Sequence, residues 1–108
     1  MTFDEIFTTV SGLAVQNRGA FASMDDIRAD LHITGSDGGV IGAAVTDGEP
    51  MVRKGTIGTP EVTVSVSASD FAALLSGKLN PMVAFMTGRI KATGNYARIM
   101  GMMKGFRR

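Results

Sequence analysis

Apolar side chains at Phe3, Ile6, Phe7, Val10, Leu13 and Ala14 recur three and four positions apart. That spacing places them on one face of a helix. Thr2, with Glu5 three positions on, has the form of a capping box. Asp4 and Glu5 also complement the positive end of the helix dipole. Asn17-Arg18-Gly19 reads as the stop. The outward positions Thr8, Thr9, Ser11, Gly12 and Gln16 are polar but not basic.

The period then shortens to two. Ile27, Ala29, Leu31 and Ile33 alternate with Arg28, Asp30, His32 and Thr34, the pattern of a half-buried strand. Gly35 to Gly39 is a turn. Val40 to Thr46 predicts a second strand with mixed faces, and Asp47-Gly48 a hairpin into a third, Pro50 to Gly55. Pro50 favours an edge for that strand, because proline donates no ladder hydrogen bond. Glu61 to Ser67 is a fourth strand, with valines on one side and hydroxyls on the other.

Ser67-Ala68-Ser69-Asp70 resembles another capping box, and Phe71, Leu74 and Leu75 stripe the helix it opens. Asn80-Pro81 starts a further short helix, with Met82, Phe85 and Met86 as its apolar side. Arg89 to Thr93 reads as a fifth strand. Asn95 caps a last helix bearing Tyr96, Ile99, Met100 and Met103. A meander followed by helices predicts an α+β sheet with helices on one face.

At 108 residues, 44% of them apolar, the chain suits one domain over residues 1–108. It has no cysteine and a single histidine, which argues against disulfides, thiolate metal sites and thiol nucleophiles, so no metal or cofactor is expected. The longest apolar run, Val40 to Val45, is far short of the ~20 residues that span a bilayer. An acidic N-terminus without a basic leader, and a C-terminus that is not a peroxisomal address, make a cytoplasmic location the expectation.

The net charge of +1 conceals an asymmetry: residues 1–49 carry −6 and residues 50–108 carry +7. Such a split marks either an anionic partner at the basic end or two halves that attract each other within one domain. The second is the simpler reading. Nucleic-acid binding is not expected, since only Tyr96 and Phe106 accompany the C-terminal cations as stacking aromatics.

No glycine-rich stretch has phosphate-loop spacing. His32 has no nucleophile or orienting acid in view, and Ser69 and Ser76 lack a nucleophile elbow. The chain is therefore not expected to be an enzyme. Five of the eight methionines, Met82, Met86, Met100, Met102 and Met103, fall close together. Methionine serves both irregular cores and adaptable apolar binding surfaces, and composition alone favours the core.

The run SASDFAALLSGKLNPMVAFMTGRIKATGNY, Ser67 to Tyr96, resembles the signature segment of the sterol carrier protein-2 family. The matching positions are Ser69-Asp70-Phe71, Ala73-Leu74, Ser76-Gly77-Lys78, Asn80-Pro81, Ala84-Phe85, Gly88, Lys91 and Gly94-Asn95. The resemblance implies a five-stranded, mainly antiparallel sheet covered on one face by helices and enclosing an apolar tunnel. It implies non-catalytic binding, and in some members transfer, of fatty acids, fatty acyl-CoA, phospholipids or sterol- and isoprenoid-like molecules.

On that reading Phe71, Leu74, Leu75, Met82, Phe85, Met86, Ile99, Met100 and Met103 line the tunnel. Lys78, Lys91 and Arg98 are the candidates for an anionic head group, and an anionic membrane is a candidate peripheral contact. Met82 departs from the family, which often has glutamine after the Asn-Pro pair. The first helix lacks the cationic face of a membrane-docking helix. The alternative is a protein-interaction or homodimerisation module using the same apolar groove, or an accessory factor to a lipid-modifying enzyme.

Overall fold

In the computed structural model, which describes residues 2–36, 38–95 and 97–98, the first helix forms where the apolar spacing predicts it, as α1 (Phe3–Gln16). The Thr2 hydroxyl accepts the Glu5 N–H at 3.2 Å, and Glu5 Oε1 accepts the Thr2 N–H at 2.9 Å. The Thr2 backbone N–H, with the Thr2 side chain, holds the Glu5 carboxyl below its usual range. At the other end Asn17 Nδ2 donates to the Leu13 carbonyl at 2.8 Å. Helix α1 ends at Gln16 with Asn17 as its cap, as the Asn-Arg-Gly stop predicts. The chain then adds a four-residue turn, α2 (Arg18–Phe21). Local propensity does not favour a turn containing Gly19; the burial of Phe21, at 1% exposure, holds it.

The strands are β1 (Ile27–Thr34), β2 (Gly39–Thr46), β3 (Glu49–Lys54), β4 (Val62–Ser67) and β5 (Ile90–Gly94). Asp47 and Gly48 both take positive φ, at 51° and 78°, the primed hairpin turn that this dipeptide favours. The helices α3 (Ala68–Leu75) and α4 (Pro81–Met86) separate β4 from β5. The sheet order β3-β2-β1-β4-β5 puts the Pro50 strand at an edge, as expected. Among the named strands the pairings are antiparallel except β1 with β4.

That parallel pair follows from a crossover. The chain leaves edge strand β3 and must pass β2 and β1 to reach the position of β4. It does so over the face away from the helices. Asp30, on that face of β1, receives the Ile57 N–H at 2.8 Å and the Thr56 hydroxyl. Gly42, its register partner on β2, leaves room for the loop backbone. Strand β2 is thus covered on both sides, which is why its sequence shows mixed faces.

On the helix side, register aligns Ile27, Ala29, Leu31 and Ile33 with Val45, Ala43, Ile41 and Gly39 on β2. Val62, Val64 and Val66 of β4 continue those rows. Two clusters form there. Ile6, Val10, Ile33, Ile41, Val66, Ala84 and Ile90 pack beneath α1, α3 and α4. Phe21, Ile27, Ala29, Val45 and Val62 pack beneath α2.

Exposed ion pairs decorate this frame. Lys54 Nζ lies 2.7 Å from Asp4 Oδ1 and 5.4 Å from the centroid of the Phe7 ring, joining β3 to α1. It pairs a cation of the basic half with an anion of the acidic half, though such contacts contribute little.

Asn80 caps α4, its Oδ1 accepting the Met82 N–H at 2.8 Å and the Val83 N–H at 3.3 Å, with Pro81 in the first turn. Asn80→Ala is expected to lower stability by about 1 kcal/mol. Asn80→Asp, which keeps the acceptor, should cost much less. Urea unfolding midpoints of the two variants would decide; equal midpoints would mean that the cap is idle.

Candidate functional site

A β-sheet row at the middle of a layered domain is normally its most completely buried part. Here one row is not. Ile41 is fully buried, but its register neighbours Leu31 and Val64, and then Ala92 toward β5, are only partly so. Val64 packs against both core clusters, so the strip lies where they meet.

Helix α3 stands over this region. Ser67, whose hydroxyl accepts the Asp70 N–H at 3.1 Å, starts it. None of its residues is fully buried, although Ala68-Ser-Asp-Phe-Ala-Ala-Leu-Leu75 is largely apolar. Phe71 and Leu74 pack partly buried on the first cluster, and Leu75 is also half-buried. Leu31 and Val64 of the sheet and Phe71 and Leu74 of α3 thus pack, each only partly buried, against the same cluster. The arrangement offers apolar surface and few polar groups.

Helix α4 reverses the usual amphipathic arrangement. It buries its smallest side chain, Ala84, completely. Its large side chains are exposed: Met82 at 50%, Val83 at 51%, Phe85 at 41% and Met86 at 78%. The residues expected to line a tunnel therefore divide. Phe71, Leu74 and Leu75 lie at the strip. Met82, Phe85 and Met86 lie on the exposed sides of α4. Ile99, Met100 and Met103 fall outside the described residues.

Sequence reasoning did not anticipate the partial exposure of Leu31 or the 51% exposure of Val83. Alternation marks Leu31 as core and says nothing of its partial exposure. In Pro-Met-Val-Ala-Phe-Met every position is apolar, so no polar face reveals which side turns inward.

The head-group candidates also separate. Lys78 is exposed in the turn between α3 and α4, where its backbone N–H donates to the Ala73 carbonyl at 2.9 Å. Lys91 pairs in register with Ser65, on the face of β5 opposite the helices, so alternation sends it away from the strip. Arg98 is engaged elsewhere: its guanidinium meets Glu61 Oε2 at 3.0 Å and the carbonyls of Asp25 and Asp26 at 2.7 and 2.6 Å. It ties the chain beyond β5 to the loop before β1. Among the described residues no group of three or more His, Cys, Asp or Glu side chains is placed to hold a metal ion. No helix among them is long and apolar enough to cross a membrane.

The model of the SCP-2 sterol transfer family matches residues 14–107. Hydroxysteroid dehydrogenase-like protein 2 of Mus musculus is 35% identical over 81 residues, covering 68% of this chain and 15% of that protein. Sterol carrier protein 2 of Homo sapiens is 38% identical over 56 residues, covering 52% of this chain and 10% of that protein. The chain thus spans only a small part of the curated relatives it matches. Among solved structures, palmitated SCP2L2 from Aedes aegypti superposes with a TM-score of 0.71 at 21% identity, covering 100% of this chain and 96% of that one.

Proposed function

The chain belongs to the SCP-2 sterol transfer family, and from that membership we propose that it holds the apolar tail of a lipid, without catalysis, between α3 and the helix-side face of the sheet. The family as a whole supports lipid or sterol binding or transfer. One observation carries the finer reading for this chain: the partly buried Leu31 and Val64 of the sheet and Phe71 and Leu74 of α3, gathered on one cluster.

A tail that separates these two surfaces completes the burial of both. Burying about ten methylenes supplies roughly 8 kcal/mol, against which the cost of association must be set. The palmitated state of the Aedes aegypti neighbour favours a fatty acid as first candidate. Lys78, exposed in the turn after α3, is the cation this proposal assigns to a carboxylate or phosphate head.

Titration with a fluorescent fatty acid, with mass spectrometry of the organic extract of natively purified protein, tests this. Saturable binding or a stoichiometric co-purified lipid is expected. Leu74→Asp should weaken binding at least about tenfold by putting a carboxylate against the tail, whereas Leu74→Met should change it little. Neither saturable binding nor extracted lipid in the unmodified protein would sink the proposal.

A further inference from the structure

A helix that is apolar on every side is normally found wholly buried or in contact with lipid. Helix α4 is apolar on every side and is buried only at Ala84. Of the six large apolar side chains exposed among the described residues, four belong to it. We propose that α4 is the surface by which this protein docks on an anionic lipid bilayer, with Met82, Val83, Phe85 and Met86 entering the interfacial region. The inference rests on the lipid-binding reading and deepens it by placing the entry point.

Charge supports a lipid partner of this kind. After Asp70 the chain contains no aspartate or glutamate. Lys78 and Arg89 flank α4 on either side, are exposed, and form no ion pair among the described residues. Each cation near an anionic surface contributes ~1 kcal/mol. Helix α1, by contrast, exposes Asp4 and Glu5 and would be repelled.

The ends of α4 are prepared for a dry environment. Asn80 takes up the Met82 and Val83 N–H groups, and the Thr87 hydroxyl donates to the Val83 carbonyl at 2.8 Å. Satisfying backbone groups internally lowers the cost of partial insertion. Position matters too. Ala84 and Leu79 join the same cluster that Phe71 and Leu74 pack against. A tail leaving the bilayer beside Met82 therefore enters next to the cluster on which Phe71 and Leu74 pack.

Sedimentation with vesicles of phosphatidylcholine alone, and of equal parts phosphatidylcholine and phosphatidylglycerol, tests the docking. The protein is expected to bind the anionic vesicles and to be released by high salt. Val83→Asp and Arg89→Glu, both at exposed positions and both outside the proposed tail site, should each reduce that partitioning roughly tenfold. Fatty-acid titration without vesicles should be unchanged in both variants. Vesicle binding that is indifferent to both variants, or absent in the unmodified protein, overturns the proposal. So does a concentration-dependent dimer abolished by Val83→Asp, which assigns the patch to a second copy of the chain. A failed fatty-acid titration with vesicle docking intact would count against the tail site and leave the docking surface standing.

Discussion

Gly42→Val is expected to cost about 3–5 kcal/mol of folding stability, because it lifts the crossover loop from the sheet and strips Asp30 of both its partners. A Cβ at position 42 would stand 2.7 Å from the Gly55 carbonyl oxygen, 2.8 Å from the Ile57 nitrogen and 3.1 Å from the Thr56 carbonyl carbon. All three are backbone atoms, so no side chain can swing aside. The loop must move, and its movement withdraws the Thr56 hydroxyl and Ile57 N–H from a carboxyl group in a residue only 5% exposed. Each hydrogen bond to a charged group contributes about 1.5–3 kcal/mol, and a buried acceptor left unmet is costly. Domains of this kind have about 5–15 kcal/mol in total. The urea midpoint should fall at unchanged slope. Asp30→Ala should add little in the Gly42→Val background, since the two substitutions break one assembly. A loss under about 1 kcal/mol for Gly42→Val would refute the packing of the loop on this strand.

The second large effect is expected at Phe21. It is 1% exposed and packs with Ile27, Ala29, Val45 and Val62. Phe21→Ala should cost about 3–5 kcal/mol through lost burial and the cavity left behind, and Phe21→Leu much less. The loss should extend beyond the side chain. Helix α2 is four residues long and contains Gly19, so its own hydrogen bonds and the exposed Arg18–Glu49 pair sustain it poorly once the ring is gone. Amide exchange at Met24, whose N–H donates to the Phe21 carbonyl at 3.0 Å, should accelerate with the destabilisation. Unchanged protection there would show that α2 is held by something other than the ring.

Much of this architecture is legible in the chain. The three-and-four spacing from Phe3 to Ala14 becomes α1, and the Thr2–Glu5 pair becomes its capping box. The Asp47-Gly48 turn, the edge position of the Pro50 strand and the Asn80-Pro81 start of α4 also follow from local chemistry. Each needs only a residue and its near neighbours. The turn at Arg18–Phe21 was not legible, because it exists through a long-range contact of Phe21 with strands that come later. The site is intermediate. Its apolar residues can be named from sequence, but not which of them face the sheet.

By itself the sequence determined the order of α1, the five strands, α3 and α4, the two-residue alternation that gives the sheet an apolar face, and a run from Ser67 to Tyr96 that resembles the sterol carrier protein-2 signature. Those properties depend on spacing along the chain, and spacing is local. The tertiary structure alone decided that β4 runs parallel to β1 through a crossover held by Asp30, that Lys91 faces away from the strip, and that Arg98 is taken up by Glu61 and the loop before β1. It also decided that α4 buries Ala84 and leaves Met82, Val83 and Met86 outside. These outcomes depend on which surfaces meet, and in a helix with no polar side the chain carries no local mark of which side will be covered.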